Sequence, residues 1–298
     1  MPGTTSNILL TGSNGQLGRA LRHALAPLGI VVALDRSALD LADPDAMRRV
    51  VRDCKPALIV NAAAYTAVDR AESEPELAMA VNGTAPGVLA EETRRLDAVL
   101  VHYSTDYVFD GTKPTPYTES DTPNPLSVYG KTKLAGERAI QATGCAHYIL
   151  RTSWVYDAEG ANFLNTILRL ARERPELRIV NDQTGAPTWA HAIAEMTAQL
   201  LAAGMVGAAD PRYGLYHLTA TGAVTWFGFA QAILEEDAKA PGSRMPRLTP
   251  ITTAEYPLPA PRPANSRLDT GLLTKTFGIK PSSWREMLMR CMEEKRHG

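Results

Sequence analysis

Short apolar runs alternate with stretches in which apolar residues return every third or fourth position. Asn7–Thr11 (NILLT) predicts a buried strand. Gln16–Leu28 predicts a helix, with Leu17, Leu21, Leu25 and Leu28 on one face. Ile30–Leu34 is the next strand. Asp43 and Pro44 open a second helix as N-cap and first helical residue, running to about Cys54. Ala57–Asn61 is a strand, about Glu74 to Arg95 a helical stretch, Ala98–Ser104 a strand, Val128–Gly144 a helix and His147–Thr152 a strand. Near-continuous apolar strands separated by helices predict a parallel sheet covered on both faces. The fold class is therefore α/β, a Rossmann-type doubly wound sheet.

The second half changes character. Helices are expected at about Asn162–Arg174, Ala190–Ala203, Thr225–Asp237 and Ser283–Lys295, with short strands at Gly214–Thr219 and Leu248–Thr252. Proline is dense from Pro257 to Pro263, and Pro241–Pro246 reads as an exposed loop. This pattern suits a smaller C-terminal α/β unit laid over the sheet's active edge. The expected division gives residues 1–153, with about 187–203, to a nucleotide-binding unit. About 154–186 and 204–298 go to a substrate unit.

Composition narrows the function. The 298 residues carry a net charge of −1, with 45% hydrophobic and 21% charged residues. No basic field suits nucleic acid. No apolar run reaches the roughly 18 residues that span a bilayer. Cys54, Cys145 and Cys291 are odd in number and widely spaced, which fits a reducing compartment. Met1–Asn7 is too short and polar for a signal peptide, so a cytoplasmic protein is expected. The six histidines show no metal-ligand spacing, and no metal is expected.

Two motifs carry chemistry. Thr11-Gly12-Ser13-Asn14-Gly15-Gln16-Leu17-Gly18 joins the first strand to the first helix. Glycines allow a tight turn and close approach to a pyrophosphate, and the helix N-terminus offers free N–H groups. A plain glycine-rich turn is the bland alternative; the strand–loop–helix context argues against it. Asp35 ends the second strand, 20 residues after Gly15, where a carboxylate can accept from ribose hydroxyls and favour NAD. Arg36 beside it favours a 2′-phosphate and NADP, so NADPH and NADH are both candidate cofactors. Asp40 and Leu41 flank the adenine position. In Asn61–Thr66, small residues let Ala63, Ala64, Tyr65 and Thr66 lie along a cofactor. Asp69, Arg70 and Glu72 read as a solvated helix face.

Tyr129 and Lys133 stand four residues apart, on one helix face. An ammonium near a phenol favours the phenolate, so Tyr129 can exchange a proton with a carbonyl oxygen. Lys133 can also hold a nicotinamide ribose. Thr105 lies beyond a strand's carboxyl end, where ligands of open α/β sheets bind, and can donate to a developing alkoxide. Ser104 is its rival. Asp106 and Tyr107 follow.

The TGxxGxxG loop, Asn61–Thr66 and Tyr129-x-x-x-Lys133 resemble the extended short-chain dehydrogenase/reductases. Asn61–Glu72, Tyr103–Asp110, Asn181–Thr188 and Arg262–Asp269 are similar to that family's reductases of dTDP-linked keto sugars, over essentially the whole chain. The resemblance implies hydride delivery from NADPH or NADH to a C4 keto group. Tyr129 would be the general acid, Lys133 its electrostatic partner, and Thr105 the group polarising the C4 oxygen. Asp106, Tyr107 and Trp154 would contact the sugar. Related dehydratases have Thr-Asp-Glu where this chain has Thr105-Asp106-Tyr107, so the base that elimination needs is missing. An epimerase, or a non-catalytic regulatory subunit of the same fold, are the other readings. Some relatives form dimers through Mg²⁺ held partly by a glutamate on the first helix. Here that turn reads Arg19-Ala20-Leu21, so a monomer or weak homodimer is expected.

Overall fold

The computed structural model describes residues 6–204, 210–239 and 245–297. Its central sheet has six parallel strands: β1 (Asn7–Thr11), β2 (Ile30–Leu34), β3 (Leu58–Asn61), β4 (Val99–Thr105), β5 (Ala146–Thr152) and Gly214–His217. Their spatial order is β2-β1-β3-β4-β5, followed by Gly214–His217. The apolar runs become strands because both faces are covered, alternate side chains pointing to opposite sides. Leu10, Val60, Val101 and Leu150 pack with α1 (Gln16–Leu25) and the Ala190–Gly204 helix. Leu9, Ile59, Leu100 and Ile149 pack with α2 (Pro44–Cys54) and with the Ala85–Arg95 and Val128–Thr143 helices.

Connectivity places the functional end. From β1 the chain moves outward to β2, then returns past β1 to β3. The carboxyl ends of β1 and β3 therefore flank the switch point where open α/β sheets bind ligands. Local sequence fixes the helix starts. Asp43 accepts from the N–H groups of Asp45 and Ala46 ahead of Pro44, and Ser127 caps the Val128–Thr143 helix through the N–H of Gly130.

Three elements differ from expectation. The first helix closes at Leu25 and tightens into a 3₁₀ turn, Ala26–Leu28, at Pro27. The helical stretch expected from Glu74 to Arg95 is three pieces, Pro75–Met79, a π turn Ala80–Thr84 and Ala85–Arg95. Pro86 has no N–H to offer the preceding turn, and the wider turn accommodates it. Residues 214–217, expected in the smaller unit, pair with β5 as the sixth strand of the central sheet. The smaller unit contributes helices Phe163–Glu173, Trp226–Asp237 and Trp284–His297, and a parallel pair of strands, Glu176–Val180 with Arg247–Ile251. Its Leu164, Ile167, Phe229 and Leu288 share one apolar cluster with the sheet. Of the loop expected at 241–246, residues 241–244 lie outside the described residues, as do residues 1–5.

Candidate active site

The loop after β1 is shaped by one close approach. Gly12 has φ +69, and a Cβ there would sit 2.7 Å from the Ala63 backbone nitrogen. Only glycine fits that conformation against that neighbour. The loop consequently lies flat beside the segment after β3. Gly18 packs α1 onto the loop, because a Cβ there would meet the Gly12 carbonyl at 2.0 Å; it does not line the cleft. No side chain caps the first turn of α1, and Gln16 and Leu17 open onto the cleft.

The cleft encloses about 510 Å³. Gly12, Asn14, Gly15, Gln16, Leu17, Asp35, Arg36, Asp40, Leu41, Ala63, Ala64, Tyr65 and Thr66 line its long arm, and Tyr129 and Lys133 its far end. The Asp35 carboxylate serves its own turn first. One oxygen accepts from Asn14 Nδ2 at 2.7 Å, the other from the Ser37 hydroxyl at 2.6 Å and the N–H groups of Ser37 and Ala38. These bonds, that from the Ser37 hydroxyl foremost, hold it below the usual carboxylate range. The loop and the end of β2 are thus tied together by Asn14–Asp35.

At the far end, Gly130 lets the Val128–Thr143 helix touch the turn after β4; a Cβ there would lie 2.2 Å from the Tyr107 carbonyl. Tyr107 stands edge-on to Tyr129, with ring centroids 5.5 Å apart. The Thr105 hydroxyl donates to Asp106 Oδ1 at 3.0 Å. Burial pushes the Tyr129 phenol up to about 12, against a lowering influence of Thr105. Burial likewise pushes the Asp106 carboxyl up to about 6.

Lys133 Nζ donates to the Tyr103 carbonyl at 2.6 Å and meets His102 Nε2 at 3.2 Å. The strand carbonyl accepts from the ammonium behind the helix face, and the His102 ring nitrogen lies beside it. Burial brings Lys133 down to about 8, with the Glu137 carboxylate opposing.

Of the expected solvated face, Arg70 is exposed, whereas Asp69 and Glu72 are half-buried and engaged. Asp69 takes both Arg262 guanidinium nitrogens, at 2.8 and 3.1 Å. Glu72 accepts the N–H of Val128 at 2.8 Å, so it positions the start of the Tyr129 helix. Arg70 holds Glu74, which also accepts from the Tyr65 hydroxyl. Trp154 lies beside the cleft rather than in its lining. It is stacked on Trp226, centroids 3.5 Å apart, with φ +47.

Sequence reasoning missed several residues. Asn82, in the π turn, accepts from the Tyr65 N–H at 2.8 Å and donates to the Tyr65 carbonyl at 3.0 Å, pinning the cleft wall. A π turn forced by Pro86 was its only signal. Thr152 lines the cleft and is the register partner of Thr105, a strand-end hydroxyl legible once β5 is placed. Asp106 Oδ2 and Thr152 Oγ1 are two of the buried side-chain atoms that have no hydrogen-bond partner among the described residues. Away from the cleft, Asp157, His191 and Glu294 bring one ligand atom each within 4.8 Å of one another, and Arg19 pairs with Asp157 at 3.1 Å.

A glycine loop at the switch point, a long cleft and a Tyr/Lys helix against a hydroxyl-bearing strand end define a Rossmann-type nucleotide-dependent oxidoreductase. The family model described as "RmlD substrate binding domain" matches residues 6–297. The chain is 50% identical over 292 residues to the dTDP-4-dehydrorhamnose reductase of Burkholderia thailandensis, covering 96% of this chain and 98% of that protein. It is 45% identical to the Escherichia coli K12 enzyme of the same name, covering 97% of each. The crystal structure of the Bacillus anthracis dTDP-4-dehydrorhamnose reductase in complex with NADP is similar with a TM-score of 0.90 at 34% identity, over 98% of this chain and 100% of that one. This chain belongs to the dTDP-4-dehydrorhamnose reductase family. A Thermus thermophilus UDP-glucose 4-epimerase shares the fold at 21% identity and a TM-score of 0.79.

Proposed function

We propose that the protein reduces the C4 keto group of a dTDP-linked 4-dehydro-6-deoxy sugar, giving dTDP-L-rhamnose. The observation that carries this is that Tyr129 and Lys133 line the same cleft as the glycine loop, in a chain of this family. The residues present fit NADPH or NADH. Gly12 keeps the loop clear of Cβ atoms, α1 opens uncapped, and Asp35 and Arg36 stand where an adenosine ribose or its 2′-phosphate would lie. When bound, the nicotinamide supplies the hydride.

The chain's own groups do the rest. Tyr129 stays protonated at neutral pH and donates to the C4 oxygen as it gains charge. Thr105 orients that phenol and polarises the same oxygen. Lys133 places its ammonium at the end of the cleft, where it holds the ribose and offsets the phenolate left on Tyr129. Asp106 Oδ2 and Thr152 Oγ1 are buried acceptors and donors for sugar hydroxyls; Tyr107 and the Trp154 stack border the same end.

In this reading residues 1–153, about 187–203 and strand 214–217 hold the cofactor, and about 154–186 with the rest of 204–298 hold the sugar nucleotide. Arg19 on Asp157 neutralises the cluster with His191 and Glu294, which supports a monomer or weak homodimer without a metal bridge. No described helix is long and apolar enough to cross a membrane, and the three cysteines are free, which supports a cytoplasmic setting. The test is loss of NADPH absorbance when the keto sugar is generated in situ. Turnover is expected. No consumption at micromolar enzyme, with NADPH bound, overturns the reading in favour of a binding role.

A further inference from the structure

Three buried polar residues occupy one rung of the sheet. Thr11 of β1 is register partner to Asn61 of β3, and Asn61 to His102 of β4. Register partners share a face, and by alternation this is the face of Leu9, Ile59 and Leu100, which carries the Val128–Thr143 helix. All three are buried, at 1–2% exposure. They are linked in sequence: Thr11 Oγ1 lies 2.7 Å from one polar atom of the Asn61 amide, and the other lies 3.0 Å from His102 Nδ1; which atom is oxygen is set by the proton on the ring. The row ends on Lys133, whose Nζ is 3.2 Å from His102 Nε2.

An apolar rung would cost less in so dry a place, because each polar group must be matched. The row makes sense as a support for Lys133. That ammonium has no carboxylate within salt-bridge distance among the described residues; it donates to the Tyr103 carbonyl and lies against the His102 ring nitrogen. We infer that His102 is a positioning residue for Lys133: it stays neutral, accepts from Nζ through Nε2, and is itself oriented by Asn61 and Thr11. The inference rests on the reductase reading of the Tyr129/Lys133 end.

The protons fit. For Nε2 to accept, Nδ1 must carry the hydrogen and donate to Asn61. The Asn61 amide meets this by presenting its oxygen to the ring and its nitrogen to Thr11; heavy-atom positions serve both orientations. Burial, followed by the Lys133 charge, holds the imidazole well below its ordinary range, so it is neutral at working pH. The other charged and titratable groups around the pair are fixed. Glu137 lies one turn on from Lys133 and is paired with Arg151 of β5. Tyr129, Asp106 and Tyr107 lie on the cleft side, Tyr107 beside Arg262. The row from β1 and β3 brings no charge.

The test uses the full chain with NADPH and the in situ keto sugar. His102→Phe keeps a flat ring and removes the acceptor. It should retain NADPH binding within a few fold and lose about ten- to a hundredfold in kcat with KM little changed, the scale of one charge-assisted hydrogen bond. An ammonium without that acceptor loses its proton more easily, so the alkaline limb of kcat should move down by about one pH unit. His102→Gln, which retains an acceptor, should restore both. Equal kcat per folded protein and an unmoved limb in His102→Phe, with active wild type, would overturn the positioning role; an inactive wild type would instead remove the reductase reading. Imidazole ¹⁵N NMR needs no folded variant. The wild type should show neutral His102 with Nδ1 protonated and Nε2 bare, and a proton on Nε2 sinks the proposal.

Discussion

Two buried cations lie on the same helix-covered face of the sheet and are held in opposite ways. Arg151 makes a two-pronged ion pair with Glu137, at 2.9 and 2.6 Å, and both side chains are almost wholly buried. Ser104 adds a third donor to that carboxylate at 2.5 Å. Lys133, one turn before Glu137, has neutral acceptors only, a ring nitrogen and a carbonyl. Arg151 is held in place by the carboxylate. Lys133 is brought down to about 8, near the pH at which a cell works. The pairing scheme thus separates a group that holds the sheet to its helix from the one to which the proposed function gives a part in the chemistry. A guanidinium also suits the first task, since it stays charged and binds carboxylate in a fork.

The separation can be broken from either side. Glu137→Leu strands the Arg151 charge in the core. Stability should fall by about 3–5 kcal/mol, read from urea unfolding midpoints, and Glu137→Leu with Arg151→Met should recover most of it. Lys133→Met removes a buried cation without stranding a partner charge. Its stability should stay within about 1 kcal/mol of the parent or rise, while turnover falls about a hundredfold or more. A Lys133→Met protein that unfolds as readily as Glu137→Leu would show that both cations are structural, and the contrast would be gone.

This contrast was half legible in the sequence. The Tyr129/Lys133 spacing places both residues on a helix, and the helix period puts them on one face. It says nothing of what the strand beneath offers, and β4 offers the Tyr103 carbonyl and His102, which take the ammonium. Strands and the nucleotide loop were readable because their signals are local: apolar runs, glycine spacing, Asp43 before Pro44. Asp69 looked solvated because its partner, Arg262, is distant in the chain. Trp226 was invisible as a site residue for the same reason; only folding brings it onto Trp154. Asn82 was hidden by an ordinary helical period, since nothing short of the Pro86 effect marks a π turn. The sixth strand was assigned to the wrong unit because its neighbour in the sheet, β5, is far upstream.

The specific segment Asn181–Thr188 gains a physical meaning from the Trp154 stack, and gives a smaller test. Gln183 accepts from Trp226 Nε1 at 3.2 Å. Gly185 makes room for Trp154, since a Cβ there would come within 2.5 Å of the indole. Trp154 already sits at a left-handed φ, so it has little room to retreat. Gly185→Ala should cost about 1–3 kcal/mol from overpacking. It should also raise KM for the sugar nucleotide and reduce the far-ultraviolet dichroism of the indole pair. Unchanged dichroism would mean that the stack tolerates the methyl group and that Gly185 serves the backbone alone.

The smallest effect is one of pH, and it sharpens the comparison on the Lys133 side. Tyr129 must be protonated to donate, and at about 12 it remains so throughout the working range. Lys133 must be charged, and with its proton held only to about 8, kcat/KM should fall as pH rises through that value. Asp106 is brought up to about 6, so its carboxylate forms above that pH and is lost as pH falls through it. The profile should therefore be a bell between about 6 and 8, declining about tenfold per unit outside it. Asp106→Asn should remove the acid limb and leave the alkaline one. If the acid limb survives in that variant, Asp106 is not the group that sets it, and its buried oxygen serves the fold of the Thr105–Tyr107 turn rather than the sugar.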